Sequence, residues 1–199
     1  MSKAKITRAK IIKKAAELFN QKGYAGSSIS DIMKATGLQK GGIYNHFKSK
    51  DELALEAFDY AYKCSSQRMW EAVRQKTNAI ERLQALVSVH LDYVDNPPIP
   101  GGCPIMNTAI ESDDTNPILR DRTQQAVTKW QSLISRIIQK GIKKREIRPD
   151  VEPDLVATII ISTVEGAIMM SKLYQDSIYL ERAISYLKHY IKTDLASNF

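Results

Sequence analysis

Cysteine is scarce in this sequence of 199 residues. Cys64 and Cys103 are its whole complement and form no CxxC pair, which reads against a disulfide scaffold and against a zinc site. Histidine is equally thin, with His46, His90 and His189 widely scattered. No Ser/His/Asp spacing, phosphate loop or metal-ligand cluster stands out, so the expectation is no enzyme, no catalytic residue, no metal and no cofactor. Glu111, Asp113 and Asp114 could pair as carboxylates, but an acidic run ahead of a helix start is more simply a favourable dipole arrangement. No alternating pattern of strand length occurs, nor any repeat or low-complexity tract. The most apolar run, Leu155–Met170, is short for a bilayer and contains Glu165. Met1–Lys14 is basic without a long apolar stretch, so no secretory leader is expected. A soluble cytoplasmic protein with no membrane partner is the simplest assignment.

What is present is apolar content and misplaced charge. With 43% apolar residues the chain can build a real core. The formal net charge is +7, with a sequence pI near 9.3. Residues 1–50 carry eleven Lys/Arg against Glu17 and Asp31, a formal +9, whereas the other 149 residues carry eighteen basic and twenty acidic groups, a formal −2. The positive excess therefore lies in the N-terminal quarter, as expected for contact with an acidic partner such as nucleic acid; a merely solvated charged face is the plainer alternative.

Helical periodicity runs through nearly the whole chain, giving an all-α fold of about nine helices. The spacing predicts helices over about 6–22, 28–36, 39–47, 49–76, 78–95, 104–112, 117–144, 153–174 and 178–195. In the first, Ile12, Ala15, Ala16 and Phe19 form an apolar stripe, and Gly23 stands where a left-handed cap is wanted. Ser28-Ile29-Ser30-Asp31 and Ser49-Lys50-Asp51-Glu52 have capping-box spacing. Gly37 breaks the second helix after about two turns. Two short helices joined by a glycine-containing turn make a helix-turn-helix whose second helix can enter a major groove. Leu38, Ile43 and Phe47 read as core, leaving Gln39, Lys40, Tyr44 and His46 for another face. Gly41 and Gly42, each about 1 kcal/mol worse than Ala in a helix, suit close approach to a phosphate or base edge. Packing glycines in a plain helical hairpin are the alternative.

The stretch Ile11–Tyr24, followed by Ser27-Ser28-Ile29-Ser30-Asp31-Ile32, Ala35-Thr36-Gly37-Leu38 and Lys40-Gly41-Gly42-Ile43-Tyr44-Asn45-His46-Phe47 with Lys50 and Leu53, resembles the DNA-binding segment of the TetR/AcrR family over about 55 residues. The resemblance implies a homodimeric transcriptional regulator, usually a repressor released by a small molecule. Carried over by position, it implies base reading by Gln39, Lys40 and Gly41, with Tyr44 at the groove wall. It implies phosphate contact from Ser28, Gly42, Tyr44, His46 and Lys50, with Ser27 able to share the Ser28 role. Tyr44 and His46 each have a packing role as the bland alternative. The division expected is residues 1–48 for DNA binding and 49–199 for ligand sensing and dimerisation.

In the larger part, the helix over 153–174 is apolar nearly all round, so more than one of its faces must be buried. With the helix after it, this suggests a four-helix dimer interface built from Ile159, Ser162, Thr163, Gly166, Met170, Leu180, Ile184, Leu187 and Ile191, the pair that the family resemblance also implies. A buried central helix in a monomer is the alternative. Met69, Trp70, His90, Tyr93, Met106, Asn107, Trp130 and Met169 are candidates for a pocket taking an apolar or aromatic effector. The segments Gly101-Gly102-Cys103-Pro104 and Asn107…Glu111-Ser112-Asp113-Asp114 resemble a stretch found in one subset of the family. Control through Cys103 as a redox sensor, or no small-molecule control at all, are the other readings.

Overall fold

Local caps and prolines decide where most helices begin. The computed structural model describes residues 2–197. Among them are nine α-helices: α1 (Lys3–Lys22), α2 (Ile29–Thr36), α3 (Lys40–Tyr44), α4 (Lys50–Arg74), α5 (Ala79–Ser88), α6 (Pro104–Ser112), α7 (Pro117–Lys143), α8 (Pro153–Tyr174) and α9 (Ile178–Tyr190). A π-helical turn, Ile191–Leu195, follows α9, and a lone antiparallel bridge pairs Ile147 with Ala196.

Ser2 caps α1, which therefore starts three residues earlier than its apolar stripe indicates. Both halves of the Ser28 capping box form at α2, a device worth about 1 kcal/mol. The second box is displaced: the Glu52 amide donates to Ser49 Oγ at 3.1 Å, but the Glu52 carboxylate accepts from the Lys48 amide at 2.6 Å. Pro104, Pro117 and Pro153 each occupy the first position of their helix, where a missing N–H leaves no bond unmade. Two expected helices come out short. After Ser88 the ladder tightens, His90, Leu91 and Tyr93 each donating to the carbonyl three residues back. α3 ends at Tyr44, where the His46 amide also turns to a carbonyl three residues back, that of Ile43.

The chain packs as two units. The first runs to Ser65 and takes in Pro98–Gln125; the second holds Ser66–Pro97 and the chain from Ala126. The helix-turn-helix thus packs with α6 and the start of α7, a larger unit than residues 1–48 alone. Ile11, Ala15, Ala16, Ile32, Ile43, Phe47, Leu53, Ala57, Ala61 and Ile99 form its core. Ile11 and Ala15 are fully buried on α1, while Ile12 lies at the margin.

In the second unit α8 packs on α9, and α9 on α5. With 22 residues, α8 outruns the apolar stretch read from sequence, and length and composition alone would let it cross a membrane. Val156, Ala157, Ile160, Val164, Ala167, Ile168 and Ser171 make its buried face. Leu180, Ile184, Leu187 and Ile191 are fully buried as well. That corrects the expected dimer surface: these four close the subunit's own core and have no side chain left for a partner. Leu155, Met169, Met170, Leu173, Tyr174 and Tyr186 are exposed instead, with Ser162 exposed and Ile159, Thr163 and Gly166 half-exposed beside them.

Candidate nucleic-acid interface

Gly37 ends α2 in the left-handed conformation, φ +72°, its amide returning to the Met33 carbonyl. A residue with a Cβ is strained there, and this turn sets α3 across α2. Ile43 and Phe47 point into the core, as read from the sequence. Gln39, Lys40 and Gly41 are exposed together, with Tyr44 at 42% exposure beside them. Lys40 Nζ lies 5.9 Å from the Tyr44 ring centroid.

The glycines of α3 have no internal cause. A Cβ at Gly41 would meet nothing within 4 Å, and one at Gly42 would touch the Leu38 side chain at an ordinary 3.6 Å. Neither has a positive φ. Neither the backbone conformation nor the packing of this chain calls for glycine at these two positions. Glycines packed against a neighbouring helix are not what the structure contains.

The flanking residues divide. Ser28 is exposed at the N-terminus of α2, but its hydroxyl donates to Asp31 at 2.6 Å while accepting from the Asp31 amide at 3.1 Å. The Ser28 hydroxyl and then its backbone N–H hold the Asp31 carboxyl below the usual range. Ser27 does not join this face: it is buried and its hydroxyl donates to the Gly23 carbonyl at 2.7 Å, which closes the turn after α1. His46 is half-buried, with its ring 6.4 Å from that of Phe47. Lys50 Nζ donates to the Tyr24 carbonyl at 2.6 Å, leaving further ammonium protons for another acceptor. Part of the local charge is used internally: Arg8 pairs with Glu56, Lys10 donates to the Thr36 carbonyl, and Lys14 pairs with Glu17. Lys40 and Lys48 are exposed.

The eight pocket candidates do not converge. Trp70 and Met169 are exposed, at 57% and 48%. Asn107 is engaged in structure, its side-chain amide donating to the Asn20 carbonyl, Asn20 Oδ1 and the Gly101 carbonyl. Met106 is half-buried on α6. Met69, His90, Tyr93 and Trp130 are buried in the second unit, with His90 4.8 Å from Tyr93 and 5.6 Å from Trp130 between ring centroids. Trp130 Nε1 is buried with no hydrogen-bond partner, an arrangement costing roughly 1–3 kcal/mol. Cys103 is buried at the start of α6, whereas a redox-sensing thiol needs exposure. No group of three or more His, Cys, Asp or Glu among the described residues could hold a metal ion.

Residues 11–57 match the family model described as bacterial regulatory proteins, tetR family, and residues 79–187 match the tetracyclin repressor-like C-terminal domain. The chain is 45% identical to a TetR transcriptional regulator from Chloroflexus aurantiacus J-10-FL, with a TM-score of 0.96 over 99% of this chain and 100% of that one. A TetR-family regulator from Cytophaga hutchinsonii is 34% identical, with a TM-score of 0.92 over 100% of this chain and 99% of that one. The HTH-type transcriptional repressor DhaR of Mycobacterium sp. (strain GP1) is 28% identical over 170 residues, covering 83% of this chain and 82% of that protein.

Proposed function

Because the chain belongs to the TetR family and is a helix-turn-helix transcriptional regulator, we propose that it is a cytoplasmic repressor that binds a palindromic operator as a homodimer and releases it when a small molecule binds. Residues 1–48, with Lys50 just beyond them, carry DNA contact, and the rest of residues 49–199 carries effector binding and dimerisation. Gly41 carries this reading: it is exposed, helical and without an internal reason to be glycine. Closest approach of α3 to a base edge occurs there, with Gln39 and Lys40 reading bases and Tyr44 and Gly42 against the backbone. His46, Lys50 and the N-terminus of α2 at Ser28 meet phosphates.

Pairing uses the outward stripe of α8, Leu155, Ile159, Ser162, Gly166, Met169 and Leu173, at spacings of four and three residues along one helical face. Thr163 and Met170 lie at its edge. Small residues at its centre permit close approach of a second copy. The effector is apolar or aromatic with a hydrogen-bond acceptor: Met69, His90, Tyr93 and Trp130 supply the apolar walls, and an acceptor would complete the orphaned Trp130 N–H. A hundredfold release needs about 2.7 kcal/mol of differential affinity between the two states. α4 is one unbroken helix from Lys50 to Arg74, so displacement along it reaches Lys50.

Selection of bound duplexes from a random DNA pool tests the reading. Inverted repeats with half-sites about one helical turn apart are expected. Failure to enrich any palindrome would overturn it.

A further inference from the structure

The turn between α1 and α2 closes on a carboxylate from a distant part of the chain. Glu111, on α6, accepts from the Tyr24 amide through Oε2 and from the Ala25 amide through Oε1, each at 2.7 Å. Two successive amides aimed at one anion make a concave anion site, and charge-assisted bonds of this type are about twice as strong as neutral ones. Gly23 makes the room. Its φ is +79°, and a Cβ there would come within 2.8 Å of both carboxylate oxygens. Tyr24 is gripped from α4 as well: its carbonyl accepts from Lys50, its ring lies 4.0 Å below the same ammonium, and its hydroxyl donates to Asp51. Burial and then the Asp51 bond push the Tyr24 phenol up to about 12. Asn107, four residues before Glu111, ties α6 to the end of α1 through Asn20. Ser28, the first residue of the DNA-facing half, follows this turn directly.

We propose that Glu111 is a positioning residue for DNA binding. It touches no DNA; its carboxylate holds the turn that places the N-terminus of α2 and the Lys50 ammonium. The proposal rests on the reading that the helix-turn-helix binds operator DNA. Electrostatics separates this role from a bland one. A negative charge packed against the most positive quarter of the chain repels phosphate, so removing it through charge alone strengthens binding. Removing it through the turn weakens binding. The two effects have opposite sign.

The test uses the full-length protein and its selected operator duplex, with affinity measured by fluorescence anisotropy over a salt series. Glu111→Gln keeps the side-chain length but leaves a single acceptor oxygen for two amides. Asp114→Asn, exposed on the same segment, removes an equal charge away from the turn. Glu111→Gln is expected to bind about tenfold more weakly, with a shallower salt dependence and faster amide exchange at Tyr24 and Ala25. Asp114→Asn should bind as well as the parent or better. The losses from Glu111→Gln and Lys50→Met should be non-additive, since both act through Tyr24. A folded Glu111→Gln protein that binds equally or more tightly overturns the proposal, as does a loss that simply adds to that of Lys50→Met. Should Glu111→Gln melt early, Glu111→Asp decides by the same criteria. Failure of the parent protein to bind any duplex would instead overturn the DNA-binding reading itself.

Discussion

His90 stacks on Trp130 with ring planes 24° apart and centroids 5.6 Å apart. Burial keeps that imidazole neutral, its pKa pulled down to about 4. The unfolded chain takes up the same proton near pH 6.5. Between these values the unfolded state binds a proton that the folded state refuses, so the His90 contribution is complete above about pH 6.5 and is lost as pH falls toward 4. The whole span is on the order of 3 kcal/mol. Urea unfolding of the parent and of His90→Phe, compared at pH 7 and pH 5, should show a larger drop for the parent. Equal drops would mean that His90 does not carry this dependence.

Gly41→Ala separates folding from DNA contact. The added methyl meets nothing within 4 Å, and in a helix it favours the folded state by up to about 1 kcal/mol. The variant should melt at the parent's temperature or above it. Its operator affinity should fall by about tenfold, roughly 1.4 kcal/mol. Unchanged affinity would remove Gly41 from the groove.

Leu173 is 72% exposed and Leu187 is fully buried. Leu173→Glu should therefore leave the subunit folded while shifting sedimentation from dimer to monomer and weakening binding to a two-half-site operator. Leu187→Glu should unfold the chain. A Leu173→Glu protein that remains dimeric at low concentration would move the pairing surface away from this stripe of α8.

For Lys50, Lys50→Ala should weaken binding at every sequence and reduce the salt slope by about 0.9, one phosphate's share. If the ammonium serves only the Tyr24 carbonyl, affinity falls with the slope unchanged, and the phosphate assignment fails.

Features fixed by near neighbours were readable in advance. The Ser28–Asp31 box, Gly37 as the end of α2 and the starts of α6, α7 and α8 are all set within a few residues of themselves, whereas Gly23, read as a left-handed cap, has a positive φ of 79° but an extended ψ of 164°. The sorting of α3 into core Ile43 and Phe47 and outward Gln39 and Lys40 was readable too. Periodicity located the apolar face of α9 correctly, but an apolar face looks the same whether it meets its own core or a partner. Leu180 and Ile184 were read as interface for that reason. The outward line of Leu155 and Leu173 was present at helical spacing and was masked because α8 is apolar nearly all round. Asn107 read as a pocket residue, and Glu111 as part of an acidic run, because their partners Asn20 and Tyr24 are 87 residues away. A polar contact over that distance leaves no local pattern.

The same separation sets an order of completion. A chain made from its N-terminus, at about 5–20 residues per second, has α1, the turn and α2 in place well before residue 111 exists. Until then the amides of Tyr24 and Ala25 lack the carboxylate that they close on. A nascent fragment can carry every base-reading side chain and still present them on an unfinished turn. On the role proposed for Glu111, products that stop before α6 should bind the operator more weakly than the finished protein and compete poorly for its site.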